Sequence, residues 1–168
     1  YRRTDIMKKS LIIGVMGGGE ASRQMLAYAC ELGERIAENG WILLNGGRKA
    51  GIMAASAQGA AARGGLTIGI LPEDNSTAAS EHITVPILTG MGNARNCINV
   101  LSSNVVVACP GGAGTLSEIA LALKNKRPVI TMGFYLGEIP GIYLDRRLLH
   151  AAKTPVEVID LIKKMFPR

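Results

Sequence analysis

Residues 104–124 constrain the fold of this chain more than any other stretch. A β-type apolar run, Asn104-Val105-Val106-Val107-Ala108, leads through Cys109 into Pro110-Gly111-Gly112-Ala113-Gly114-Thr115-Leu116-Ser117-Glu118, and a helical pattern runs from Leu116 to Lys124. A strand that stops at Pro-Gly-Gly and restarts as a helix brings unpaired N–H groups and a positive helix end to one point. That geometry binds phosphate or another oxyanion. Gly111, Gly112 and Gly114 allow a close backbone approach, and Thr115 either caps the helix or bonds the anion. Glu118 then lies one turn in. Thr115-x-x-Glu118 has capping-box spacing, so spacing alone leaves Glu118 open between a cap and a functional carboxylate.

The same alternation recurs along the chain. Apolar runs predict strands over 11–15, 41–44, 66–71, 83–89 (interrupted by Pro86), 104–108 and 128–132. Helical spacing predicts helices over 21–38, 51–63 and 93–102, besides the one after Pro-Gly-Gly. A last helix opens at Thr154-Pro155-Val156-Glu157, with an N-cap, Pro at N1 and Glu at N3. Residues 73–80 read as a polar loop, and 133–144 as Gly-rich and irregular. The expected architecture is α/β: a single-domain Rossmann-like, doubly wound, mainly parallel sheet with helices on both faces. It spans 11–168, after a flexible extension over 1–10 in which Met7 is the expected natural start. With 168 residues, 48% of them hydrophobic and only 4% aromatic, the chain suits a sheet buried between helices by Ala, Ile, Leu and Val.

The net charge of +6 is confined to the ends of the chain: +3 in 1–10, +3 in 145–168, and nine charges of each sign between them. A nucleic-acid face would run through the fold, so no nucleic-acid partner is expected. No run reaches membrane-spanning length, and none reads as a secretory signal, so the expected location is cytoplasmic. Cys30, Cys97 and Cys109 lack metal-ligand spacing and read as small buried residues in a reduced compartment; no metal site is expected. His82 and His150 stand alone. Met25, Met53, Met91 and Met165 read as core.

Three turns at strand carboxyl ends are glycine-rich: Gly17-Gly18-Gly19, Gly46-Gly47 and Gly111-Gly112. Ligands of such sheets sit outside that edge, so three glycine turns there imply a phosphorylated small molecule approached closely by backbone. The dinucleotide pattern is broken, because Ser22 replaces the third glycine and Asn45 stands where an acid would hold the ribose. No Gly-Lys-Ser/Thr occurs either. NAD and ATP are therefore not expected. In Gly90-Met91-Gly92-Asn93-Ala94-Arg95-Asn96, Asn93 can cap the next helix. That leaves Arg95 in an unfavourable first-turn position unless it faces an anion or pairs with Glu118. Arg48-Lys49, beside the second glycine turn, is either a ligand contact or a surface pair.

At these residues the chain resembles the Lonely Guy (LOG) family, often mislabelled as lysine decarboxylases. The likeness lies in Gly46-Gly47-x-x-x-Gly51-Ile52-Met53 together with Pro110-Gly111-Gly112-x-Gly114-Thr115-x-x-Glu118. The resemblance implies a nucleoside 5′-monophosphate phosphoribohydrolase, releasing base and ribose 5-phosphate. Glu118 would then stabilise the oxocarbenium-like sugar or position water, with Arg95 assisting. The hydrolases carry a Met-His-x-Arg-Lys segment; here Met91-Gly92-Asn93-Ala94-Arg95-Asn96 is one residue longer and lacks the histidine. No Lys is placed for a pyridoxal phosphate Schiff base.

A longer likeness, nearly from Leu11 to Lys164, is to the molybdenum cofactor carrier branch of the same group. It includes Gly40-Trp41-Ile42-Leu43-Leu44-x-Gly46-Gly47-Arg48, Gly92-Asn93-Ala94-Arg95-Asn96 and Leu101-Ser102-Ser103-Asn104-Val105. This resemblance implies a homo-oligomer, dimer or tetramer, that binds and protects molybdenum cofactor and hands it to molybdoenzymes. The implied ligand contacts are the three glycine turns with Gly51, Gly114 and Thr115, together with Arg48, Asn93 and Arg95. Carrier is the favoured expectation and hydrolase the alternative.

Overall fold

The computed structural model describes residues 10–137 and 145–167. The expected extension over 1–10 lies outside them except for Ser10, as does most of the segment expected to be irregular over 133–144. Seven strands form one sheet: β1 (Ile12–Met16), β2 (Ile42–Asn45), β3 (Thr67–Leu71), β4 (Val85–Leu88), β5 (Val105–Ala108), β6 (Val129–Met132) and β7 (Leu149–Ala152). Their spatial order is β4-β3-β2-β1-β5-β6-β7, and every pair is parallel.

Among the described residues five α-helices accompany the sheet: α1 (Arg23–Glu38), α2 (Gly51–Ala62), α3 (Asn96–Ser102), α4 (Ala113–Lys124) and α5 (Pro155–Met165). Alternation along the strands sorts the core into two layers. Ile13, Val15, Leu43, Val105, Val107 and Ile130 point to a layer filled by Met25, Leu32 and Ile36 of α1, Ile52 of α2, and Val158 and Ile162 of α5. Met16, Leu44, Ile70, Val106, Ala108 and Val129 point the other way, onto Val100 of α3 and Ile119 and Ala122 of α4. Helices thus cover both faces, as the sequence pattern predicts.

The sheet reverses its winding between β1 and β5. The chain runs outward from β1 through β2 and β3 to β4, then returns to place β5 on the other side of β1. Such a switch point opens a crevice at the strand carboxyl ends. It sets the turn after β1 beside the turn after β5.

Several expectations are corrected. β7 carries Leu149-His150-Ala151-Ala152 and has no β-branched signal, so it was not predicted; pairing with β6 makes it a strand. The helix after Pro-Gly-Gly begins at Ala113, with Gly112 at its N-cap and no side-chain cap. Thr115 and Glu118 are therefore interior helix residues, and no capping box forms. Asn93 is not a cap either. It lies inside a single 3-10 turn, Gly92–Arg95, that runs directly into α3. Met91 is half exposed, not core, and Cys30 and Cys97 are only partly buried. Cys109 is fully buried, which pushes its thiol up to about 12.

Candidate ligand-binding site

Backbone contacts join the turn after β1 to the turn after β5 and to the start of α2. The Gly18 N–H donates to the Pro110 carbonyl at 3.1 Å, and the Ile52 N–H donates to the Gly18 carbonyl at 3.1 Å. Gly51 makes the second bond possible: its φ is +51°, and a Cβ there would stand 2.2 Å from the Gly18 oxygen. The turn after β1 is thus clamped between the start of α2 and the turn after β5. Asn45, at the end of β2, is completely buried and structural. Its amide donates to the Met53 carbonyl and Ser56 hydroxyl, and its oxygen accepts from the Gly47 N–H at 2.8 Å.

These turns wall a cavity of about 210 Å³ that opens to solvent at the switch point. Gly17, Gly18, Gly19 and Gly46 line one side, and Gly112, Gly114 and Thr115 of the α4 N-terminus line the other. Asn93, Arg95 and Glu118 close it. Gly47, Arg48, Gly51 and Gly111, also expected at the ligand, are not part of the lining: Gly51 and Gly111 serve the packing of turn on turn. A Cβ on Gly111 would meet the Thr115 hydroxyl at 2.2 Å and the Gly18 nitrogen at 2.8 Å. By contrast, no atom stands within 4 Å of the Cβ position of Gly112 or Gly114, so these two present bare backbone to the cavity.

Arg95 is the cation of the crevice. Its guanidinium lies over Gly46, where a Cβ would meet Nη2 at 2.8 Å, so only a glycine leaves it room. The side chain is 12% exposed, and its Nη1 stands 3.6 Å from Glu118 Oε1. Burial lowers the pKa of Arg95 while Glu118 raises it, and a guanidinium stays charged throughout. Its Nε is buried without a hydrogen-bond partner. A buried charged donor left unpaired is costly, so this atom stands open to a further acceptor.

Glu118 is held from behind. Asn99, fully buried on α3, donates to Glu118 Oε1 at 3.0 Å, and the Asn99 oxygen is itself buried without a partner. Burial raises the Glu118 pKa, against the lowering influence of the Asn99 bond and of Arg95. Asn96 reaches the same helix by donating to Ser117 Oγ at 2.9 Å. In the sequence Asn96 is marked only as part of the Gly92–Asn96 segment, and Asn99 carries no mark of its own. Polar residues at i and i+3 beside Val100 on a short helix are the signal that marks them.

Arg48 leaves the crevice for the loop after β3. Its guanidinium bonds Glu73, whose carboxyl is held below the usual range by that bond, with Arg95 adding a smaller effect. The loop is stitched to the second glycine turn by Lys49 N–H to the Ala78 carbonyl at 3.0 Å and Ser80 N–H to the Gly47 carbonyl at 2.8 Å. Among the described residues no three His, Cys, Asp or Glu side chains group to hold a metal ion. None of the helices there is long and apolar enough to cross a membrane.

Fold and site together define a Rossmann-like α/β protein with a glycine-walled crevice at the switch point of its sheet. The chain belongs to the SLOG cluster4 family, whose model matches residues 10–159. It is similar to the molybdenum cofactor binding protein from Rippkaea orientalis, at 45% identity and a TM-score of 0.84, over 94% of this chain and 98% of that one. It is likewise similar to the molybdenum cofactor carrier protein of Chlamydomonas reinhardtii, at 42% identity and a TM-score of 0.86, over 95% and 100% of the two chains. Among curated relatives, a protein of Archaeoglobus fulgidus is 42% identical over 139 residues, 79% of this chain and 91% of that protein. A cytokinin riboside 5′-monophosphate phosphoribohydrolase of Mycobacterium tuberculosis is 35% identical over 98 residues, 57% of this chain and 52% of the enzyme.

Proposed function

We propose that this chain binds molybdenum cofactor as cargo, protecting it in the crevice between the turns after β1 and β5 and passing it to molybdoenzymes. The observation that carries the reading is the buried, unpartnered Nε of Arg95 inside a wall of bare glycine backbone. A phosphorylated pterin supplies what those groups lack. Its phosphate suits the N-terminus of α4, where the N–H groups around Gly112 and Gly114 and the helix dipole favour a dianion. Arg95 donates to a further acceptor, and Asn93 stands at the mouth. The nearly full-length likeness to cofactor carriers, against a partial one to the phosphoribohydrolases, supports the same choice.

Binding here rests on hydrogen bonds and charge rather than on ligation, since no Cys or His lines the cavity. Ligand clefts usually measure some 300–1,000 Å³. A cavity of about 210 Å³ holds the phosphate and part of a ring, so the rest of the ligand extends past the rim. A second copy of the chain covering that rim is the homo-oligomer expected from the sequence. The setting is a reduced compartment such as the cytoplasm.

One feature favours a second reading, nucleoside 5′-monophosphate phosphoribohydrolase. Glu118 stands in the crevice, ionisable and opposed by Arg95, where a developing oxocarbenium would feel its charge. Purification from a cofactor-producing host and from a cofactor-deficient one tests the main reading. Molybdenum and pterin in equal amounts, present only from the first host, support a carrier. Their absence, with adenine released from AMP by wild type and not by Glu118→Ala, supports the hydrolase.

A further inference from the structure

Arg48, which the resemblance to the carriers implies at the ligand, does not line the crevice, and its bond to Glu73 shows what holds it. Its partner Glu73 follows Pro72 directly after β3, at a junction of the two arginine-bearing segments. The Glu73 carbonyl accepts from the Gly90 N–H at 3.1 Å and the Pro72 carbonyl from the Gly92 N–H at 3.0 Å, which ties this loop to the turn carrying Arg95. The same loop is stitched to the turn that carries Arg48. Four charges therefore follow one another from the cavity outward, Glu118 paired with Arg95 and Glu73 with Arg48, and Arg95 feels the other three. Two cations are neutralised by two anions of the protein itself.

The neutralisation is incomplete in an informative way. Only three buried side-chain polar atoms among the described residues lack a hydrogen-bond partner, and two of them are Arg95 Nε and Glu73 Oε2. One is an anion's acceptor and the other a cation's donor, yet no ion pair joins them. Arg48 bonds the other Glu73 oxygen, the one side-chain hydrogen bond it makes among the described residues, and its side chain is 47% exposed.

We infer that Glu73 is a latch that withholds Arg48 from the crevice, and that a ligand carrying a second anionic group besides the phosphate seated on α4 draws Arg48 off Glu73 to complete a second anion subsite beside Arg95. This deepens the anion-binding reading of the crevice and rests on it. A singly phosphorylated ligand seated on the α4 N-terminus has nothing to offer Arg48, so the latch stays closed. A doubly anionic one offers a second charge at the rim, which it must occupy because the cavity is too small to enclose it. Glu73 is thus a specificity-determining residue that selects for a second anionic group on the ligand.

The test is a double-mutant cycle by titration calorimetry, using adenosine 3′,5′-bisphosphate and 5′-AMP as probes. Glu73→Gln should bind the bisphosphate about tenfold tighter than wild type, the scale of one charge-assisted bond made freely available, and should gain less on AMP. In an Arg48→Met background the bisphosphate gain should fall below about twofold, since nothing is left to release. An equal gain with and without Arg48 overturns the latch, because Glu73 then acts by charge alone. No gain, or no binding by any of the four proteins, overturns it too. If the gain depends on Arg48 while wild type fails to retain molybdenum cofactor, the latch stands and only the cargo assignment falls.

Discussion

Arg95 Nη1 and Glu118 Oε1 face each other at 3.6 Å across the crevice, near enough to feel each other's charge and too far apart to share a hydrogen bond. Each is anchored on its own side: Arg95 over Gly46, Glu118 on Asn99. The pair therefore holds two opposite charges at the wall of a ligand cavity without spending the arginine's donors on the carboxylate. An arrangement built for stability alone would close that distance.

Replacing Arg95 tests whether those donors serve a ligand. Arg95→Met should weaken binding of AMP or of the cofactor by about ten- to a hundredfold, corresponding to roughly 1.5–3 kcal/mol for a hydrogen bond to a charged group. Arg95→Lys should recover little of it, because an ammonium cannot reproduce the guanidinium fork. Calorimetry on the folded variants reads both.

Glu118 gives a pH signature. Burial holds its pKa above the ordinary value even after the Asn99 bond and Arg95 have pulled it down. A carboxyl whose folded pKa is raised contributes stability that is fully present below its unfolded pKa and is lost as pH rises through the folded one. Glu118→Gln should accordingly be more stable than wild type at neutral pH, with the gap closing as pH falls into the carboxylate range. Urea midpoints at pH 7.5 and at pH 4 measure the difference. A variant less stable than wild type at pH 7.5 would mean that the ion pair outweighs burial.

The glycines divide into two groups that substitution should separate. Gly51→Ala forces a Cβ toward the Gly18 oxygen at a left-handed φ, and should cost roughly 1–3 kcal/mol of stability. In Gly46→Ala the atoms nearest the new Cβ belong to the ends of the Met53 and Arg95 side chains, which can move. It should leave the thermal midpoint nearly unchanged and weaken ligand binding by displacing Arg95.

Helix α2 packs on α1 through a second close approach, remote from the crevice. A Cβ on Gly59 would lie 1.9 Å from the Cys30 carbonyl oxygen. Gly59→Ala should cost roughly 1–3 kcal/mol by overpacking while leaving the affinity of the folded protein unaltered. A loss of affinity without a loss of stability would contradict this separation of scaffold from site.

The doubly wound sheet was legible because each strand before β7 is an apolar run closed by Gly or Pro. The crevice was legible because three such closures are glycine turns on one edge. β7 was not, since Leu149-His150-Ala151-Ala152 becomes a strand only by pairing with β6. The start of α4 was misplaced because Gly111, Gly112 and Gly114 around Ala113 read as loop by propensity, yet the turn clamped against Gly18 lets the helix begin there. Arg95 and Glu118 were visible as charged residues in unfavourable or ambiguous helix positions. Asn99 and Glu73 were not, because their roles arise from contacts 19 and 25 residues distant in sequence, which no local spacing encodes.

The most direct test of the account is retention of molybdenum cofactor by wild type and by Arg95→Met, mixed anaerobically with freshly released cofactor and then passed through gel filtration. The account predicts that molybdenum and pterin co-elute with wild type in equal amounts and that Arg95→Met loses most of both while remaining folded. Equal retention by the two proteins, or none by wild type, would contradict it.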